Sequence, residues 1–290
     1  MADSDSKRGL RTLVCNVAAV ARERQISVKA AGLAYHAFNT LVPLVILALV
    51  GAALVDSLEP LLGELASAAG LGGTGLDGAA AAADGSARTR AAVLALSILL
   101  WSAVRLFQAI NSAFTDVYGS RKDVSYVDEA TTVTLVTALY VVLVTVTLAV
   151  GVALVSAVGL SLSALGGGLP LALGGSVLLA ALLTGVFLPM YYLFPQSDVS
   201  VGEVLPGTAF AALSWTALAG GFRLYVATSE SVALFGVAGA VLLILTWVYL
   251  GGLCLLLGAV LNAVLAGRVE PEDGWVPMRE VWSAYTGLFR

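Results

Sequence analysis

Apolar residues run through this chain in long blocks and seldom alternate with polar ones. Residues 30–55, 91–117, 130–158, 172–194, 206–227 and 234–266 are each dominated by Ala, Val, Leu, Ile and Phe. Each block reaches the length of about 20 residues that a helix needs to cross roughly 30 Å of hydrocarbon. A helix satisfies its own backbone in lipid, whereas an open strand does not. The pattern therefore predicts an all-α fold, a six-transmembrane-helix bundle over residues 30–266, with a Gly- and Ala-rich outer loop at 56–90 that reads as flexible. An amphipathic N-terminal segment (residues 1–29) and a tail (267–290) flank it. In the first, Leu10, Leu13, Val14, Val17 and Ala21 share one helical face, as in a helix lying on the inner membrane surface. In the tail, Met278, Val281, Trp282, Tyr285 and Phe289 repeat the idea, and either a membrane surface or a cytoplasmic partner fits them.

Composition turns this pattern into a class. The 290 residues are 59% hydrophobic and 12% charged, with a mean hydropathy of +0.94, whereas soluble domains carry roughly 25% charge. The chain reads as an integral membrane protein whose first partner is the lipid bilayer. The net charge of −4 matters less than its placement. Residues 1–29 hold Lys7, Arg8, Arg11, Arg22, Arg24 and Lys29 against Asp3, Asp5 and Glu23. With the N-terminus inside, Arg121, Lys122, Arg268, Arg279 and Arg290 join them, while Arg88 and Arg90 fall outside. The positive-inside rule then places both termini in the cytoplasm of a multi-pass plasma-membrane protein. The charged lead of about 29 residues and the long first run argue for a retained helix instead of a cleaved signal. Cys15 and Cys254 fall too far apart to bridge and form no metal-ligand pattern.

Polar residues inside the spans are the candidate chemistry. At 100° per residue, Gly32, His36, Asn39, Thr40 and Pro43 share a sector of roughly 100° on the first span. On the second, Ser97, Trp101, Arg105, Gln108, Ser112, Thr115 and Asp116 form a similar seam, with Asn111 beside it. Gly251, Cys254, Gly258 and Asn262 line one face of the sixth, where small residues permit close approach. Depth gathers His36, Asn39, Thr40, Arg105, Gln108, Asn111, Ser112, Asp116 and Asn262 toward the inner half. Two readings fit. In one, these groups hydrogen-bond between helices, with Pro43 kinking the first span and Thr40 or Asn39 serving the backbone it frees. In the other, they line a cytoplasm-facing polar cleft in which Arg105 attracts an anionic small molecule or lipid head group. Arg105 and Asp116 lie about 16 Å apart along one helix and cannot pair, and Arg223, near an outer end, reaches the interface.

Enzymatic readings find little support. The sequence contains no HExxH, GxSxG or P-loop. Its GxGxxG match at Gly70, Gly72 and Gly75 sits in the outer loop without the strand and helix that a phosphate site requires. One histidine and an acidic balance argue against nucleic acid as a partner. No cofactor and no metal are expected.

The stretches "AAGLAYHAFNTLVPLVILAL", "LWSAVRLFQAINSAFTDVYG", "YYLFPQSDVSVGEVLPGTAFAALSW" and "FGVAGAVLLILTWVYLGGLCLLLGAVLNA", in this order and spacing, resemble the YihY/BrkB family of polytopic membrane proteins over roughly residues 8–266. That family has also carried the label ribonuclease BN. The resemblance implies six membrane helices with both termini inside, and an association with transport or the cell envelope. His36 stands where the family usually carries an aromatic residue, and Val260 where an acidic one is common. The expected function is a transporter or a lipid or head-group handling protein. The competing expectation is a non-catalytic envelope or scaffold membrane protein.

Overall fold

The computed structural model describes residues 2–52, 85–119, 131, 134–135, 169–195, 199–228 and 231–271. Its six long elements are all helices: α1 (Ala2–Glu23), α2 (Ile26–Ala52), α3 (Gly85–Val117), α4 (Leu169–Leu193), α5 (Val201–Thr228) and α6 (Ser231–Leu265). Among the described residues, three stretches are long and apolar enough to cross a membrane: Thr89–Val117, Ser176–Leu193 and Val241–Leu265. All but residues 131 and 134–135 of the span expected at 130–158, most of the loop at 56–90 and the tail helix around Trp282 lie outside the described residues. Arg88 and Arg90, expected in that loop, instead belong to the first turns of α3, where Arg90 Nε donates to the Ser86 carbonyl at 3.2 Å.

Local chemistry sets each boundary. Gln25, at φ 51°, breaks α1 from α2, a left-handed conformation that a non-glycine residue adopts at a cost. The Gln25 carbonyl then accepts from Val28 and Lys29 N–H at 3.0 and 3.1 Å to start α2. Tyr118 and Gly119 close α3, with Gly119 at φ 64°. Before α5, Ser200 Oγ accepts from Glu203 N–H at 3.3 Å and Ser200 N–H faces the Glu203 carboxylate at 3.4 Å. This is a capping box, satisfying two otherwise orphaned donors. At the end of α6, Arg268 N–H reaches the Ala263 carbonyl and Gly267 N–H the Val264 carbonyl, at 2.9 and 3.1 Å. Gly267 provides the positive φ that this Schellman closure requires.

The core is concentrated at one end of the bundle. There the α1–α2 corner meets the last turns of α3, α4 and α6 and the first turns of α5, burying Val20, Ile26, Phe114, Tyr191, Phe194, Val204, Leu256 and Val260. Phe114 meets Tyr191 and Phe194 edge-on, with ring centroids 5.1 and 6.0 Å apart, a favoured aromatic geometry. Farther along, the helices leave large apolar side chains uncovered: Leu94, Ile98, Val177, Leu178, Leu213 and Leu242 are all exposed. A surface of this kind suits hydrocarbon and would be a liability in water.

Within the core, α5 and α6 touch backbone to backbone. A Cβ at Gly207 would fall on the Gly258 carbonyl oxygen, and one at Gly258 would lie 2.5 Å from the Gly207 carbonyl oxygen. Asn262 clips the crossing. Its Oδ1 accepts from Gly207 N–H at 2.6 Å and its Nδ2 donates to the Val204 carbonyl at 2.8 Å. Pro206, one residue before Gly207, has no N–H and leaves the Gly202 carbonyl without its usual helical donor. Tyr191 Oη donates to the Leu255 carbonyl at 2.5 Å and Trp215 Nε1 to the Gly251 carbonyl at 2.9 Å. The small-residue line of α6 is thus a packing line, met by α4 and α5.

Two ion pairs close the same end. Lys29 Nζ lies 2.6 Å from Asp116 Oδ2, tying α2 to α3, and also donates to the Arg24 carbonyl. Arg268 holds Glu203 with both Nε and Nη2, the latter at 3.2 Å, tying the end of α6 to the start of α5.

Two predictions follow from the packing. Gly207→Ala places a methyl group on a neighbouring backbone and is expected to destabilise by about 1–3 kcal/mol. Gly220→Ala on the same helix meets open space and is expected to be neutral or slightly stabilising. Thermal unfolding of the detergent-solubilised variants, followed by size-exclusion fluorescence, distinguishes them; equal midpoints would refute the crossing. The second concerns acid. The Arg268 hydrogen bond holds the Glu203 carboxyl below its ordinary value of 4.5. The fold favours the ionised form, so this contribution is complete above pH 4.5 and disappears as pH falls through the lowered folded value. Glu203→Gln should flatten the acid limb of midpoint against pH, and an unchanged limb would contradict the assignment.

Candidate functional site

The Lys29–Asp116 pair sets the register of α2 against the antiparallel α3. Eleven residues outward from each partner, Thr40 and Arg105 come to the same level, about 16 Å from the pair. The first sequence-predicted group sits here. His36, Asn39 and Thr40 are half-buried on α2, and His36 meets Tyr35 edge-on at 5.4 Å. Pro43 frees the carbonyl of Asn39, but Thr40 Oγ1 donates to the Ala37 carbonyl at 2.6 Å. The hydroxyl expected to serve that freed backbone therefore serves a different one.

On α3 the predicted seam is continuous and faces outward. Ser97, Trp101, Arg105 and Ser112 are exposed and Gln108 is half-buried. The Arg105 guanidinium stacks over the Trp101 ring, 5.0 Å from its centroid, a cation–π contact worth more when water is excluded. Ser97 and Thr115 donate to the Val93 and Asn111 carbonyls on their own helix, at 2.8 and 2.9 Å. The seam's exposed members present a cation, an indole and two hydroxyls along one outward line, with the half-buried Gln108 amide among them. Such a line can bind an anion with polar oxygens.

The remaining predicted residues are placed elsewhere. Asn262 is fully buried in the α5–α6 crossing, with both amide atoms engaged. Asp116 bonds Lys29. Asn111 lies beside the seam but is 1% exposed, and its Oδ1 has no hydrogen-bond partner among the described residues. The nine residues singled out by depth and helical face therefore divide among an α2 stripe, an α3 seam and packing contacts.

Several key residues at this end went unread in the sequence. Glu203 is one, although Ser200-Val201-Gly202-Glu203 has the capping-box spacing that announces it; its partner Arg268 entered only the count of inner basic residues. Tyr118 is another. Its buried hydroxyl sits beside Asn262 without a well-formed hydrogen bond, and burial followed by the Glu203 charge pushes its ionisation up to about 12, so the phenol stays protonated. Lys29 was counted only as a basic residue. Among the described residues, no three His, Cys, Asp or Glu side chains gather to hold a metal ion.

The chain is similar over short stretches to two curated proteins. One, from Bacillus subtilis (strain 168), is named as a ribonuclease-like protein, YfkH; it is 33% identical over 89 residues, covering 30% of this chain and 32% of that one. The other is the UPF0761 membrane protein PSHAa0171 of Pseudoalteromonas translucida (strain TAC 125), 32% identical over 88 residues, 30% of this chain and 28% of that one. The matched stretches thus span about a third of each relative or less. No solved structure matches. The family described as virulence factor BrkB matches residues 17–280, which takes in all of α2 to α6, and the chain belongs to that family of membrane proteins.

Proposed function

We propose that this protein is a six-pass plasma-membrane protein, with both termini inside, that handles an anionic head group along the α3 seam. The observation that carries the reading is Arg105, exposed over Trp101 on a face of α3 that otherwise meets hydrocarbon. A cation near the middle of a bilayer costs roughly 2.5–3.5 kcal/mol on insertion scales. A cation–π contact offsets only part of that, about 0.5–2 kcal/mol. A phosphate oxygen drawn against the guanidinium offsets more, and Gln108 and Ser112 lie one to two turns inward to receive the same group next. The seam points out of the described bundle, which favours a lipid whose acyl chains remain in the membrane. The charge distribution of the whole sequence supports the orientation.

A second reading has its own support. Asn262 and Asp116 are polar residues spent on contacts between helices, as in a structural membrane protein without cargo. In that reading the α3 seam is a further packing face.

Vesicles containing the protein and a fluorescent phosphatidylglycerol separate the two. Head-group handling predicts faster loss of inner-leaflet fluorescence protection than in protein-free vesicles. Arg105→Gln is expected to slow it about tenfold or more, because a hydrogen bond to a charged group contributes roughly 1.5–3 kcal/mol. Arg105→Lys should retain part of the rate. Parent vesicles no faster than empty ones, or an Arg105→Gln rate equal to the parent in a protein of unchanged unfolding midpoint, would defeat the proposal.

A further inference from the structure

α1 carries an apolar stripe that the bundle covers only toward its C-terminal end. Val17, Ala19, Val20 and Ala21 pack into the core where α1 meets α6 and α2. Leu10, Val14 and Ala18, spaced four residues apart on the same helix, are exposed, Leu10 and Val14 at 64% and 59%. The apolar face expected from the sequence is therefore covered over only part of its length: Val17 and Ala21, near the corner, pack on the bundle, while Leu10 and Val14, one to three turns nearer the N-terminus, stay exposed. Beside the exposed line runs a second one of Arg11, Cys15 and Arg22, also exposed.

We infer that the outer line of α1 is a docking surface for the anionic lipid of the adjoining leaflet. Three observations select this occupant. The helix lies at the end of the bundle where the Lys29–Asp116 and Glu203–Arg268 pairs stand, the level at which charged groups reappear beyond the apolar belt. Past the Gln25 corner, apolar exposure resumes at Val28 and Tyr35, 65% and 63% exposed, so uncovered apolar side chains flank the corner on both helices. The charge is complementary: the α1 sequence holds Lys7, Arg8, Arg11 and Arg22 against Asp3, Asp5 and Glu23, and Arg24 follows at once. A basic line beside an apolar one is the arrangement with which interfacial helices bind acidic membranes. The corner at Gln25 thereby becomes the point at which the chain passes from lying on the membrane to entering it.

Site-directed spin labelling of the full-length protein in vesicles tests this independently of any transport. Leu10→Cys and Val14→Cys are made in a Cys15→Ala, Cys254→Ala background, and the native Cys15 is labelled in Cys254→Ala alone. In vesicles rich in phosphatidylglycerol, labels at 10 and 14 should be relaxed more by oxygen than by a water-soluble nickel chelate, and the label at 15 should show the reverse. Replacing phosphatidylglycerol by phosphatidylcholine, or combining Arg11→Gln with Arg22→Gln, should reduce the oxygen preference at 14. Labels at 10 and 14 shielded from both reagents would mean a protein partner or a second copy and would overturn the assignment. So would labels as water-exposed as that at 15, or an accessibility indifferent to lipid charge.

Discussion

Gly207 and Gly258 bring two helical backbones into direct contact, and the hydrogen bonds that join α4, α5 and α6 depend on that approach. Lipid tails are as apolar as leucine, so burial from water does not hold helices together inside a membrane; close packing and hydrogen bonds do. The crossing uses both. With no side chain between α5 and α6, the Asn262 amide reaches the Gly207 N–H and Val204 carbonyl, and the Tyr191 hydroxyl reaches across from α4 to the α6 backbone. A larger residue at either glycine would lengthen all of these contacts together.

Around this crossing the structure arranges its charges as fasteners at one end. Lys29 and Asp116 join α2 to α3, and Glu203 and Arg268 join α5 to α6. Both pairs remain partly exposed, where a lone ion pair is worth little. Their interest lies in register: each fixes how far one helix slides along its neighbour. The first pair also determines which residues of α2 and α3 share a depth, and so brings Thr40 level with Arg105. Polar residues in this family member thus serve two purposes. Lys29, Asp116, Glu203, Arg268 and Asn262, near the end of the bundle, are engaged in holding it, while Arg105 and Ser112 on the outer face of α3 stay exposed.

Much of the fold was legible in the sequence because hydrocarbon imposes a simple rule on it. Runs of about 20 apolar residues read as helices whatever surrounds them, and α2 to α6 lie where five such runs lie. The helical face of each polar residue was legible too, since it depends only on the turn per residue: the α3 seam of Ser97, Trp101, Arg105, Gln108 and Ser112 is one face in the structure. Caps such as Ser200 with Glu203 are equally local and were there to be read.

Tertiary structure alone decided which faces look at one another. Helical periodicity gives each residue an angle about its own axis but says nothing of the rotation of that axis against its neighbours. Asn262 and Arg105 share a depth range, yet one is sealed in the α5–α6 crossing and the other stacks on Trp101 outside it. In the same way, the apolar positions of α1 were evident from spacing, whereas how far along the helix they are covered was settled by how far the bundle extends beside it. By itself the sequence determined the helices and the content of each face; packing geometry, which depends on where glycines allow backbones to meet, determined the neighbours.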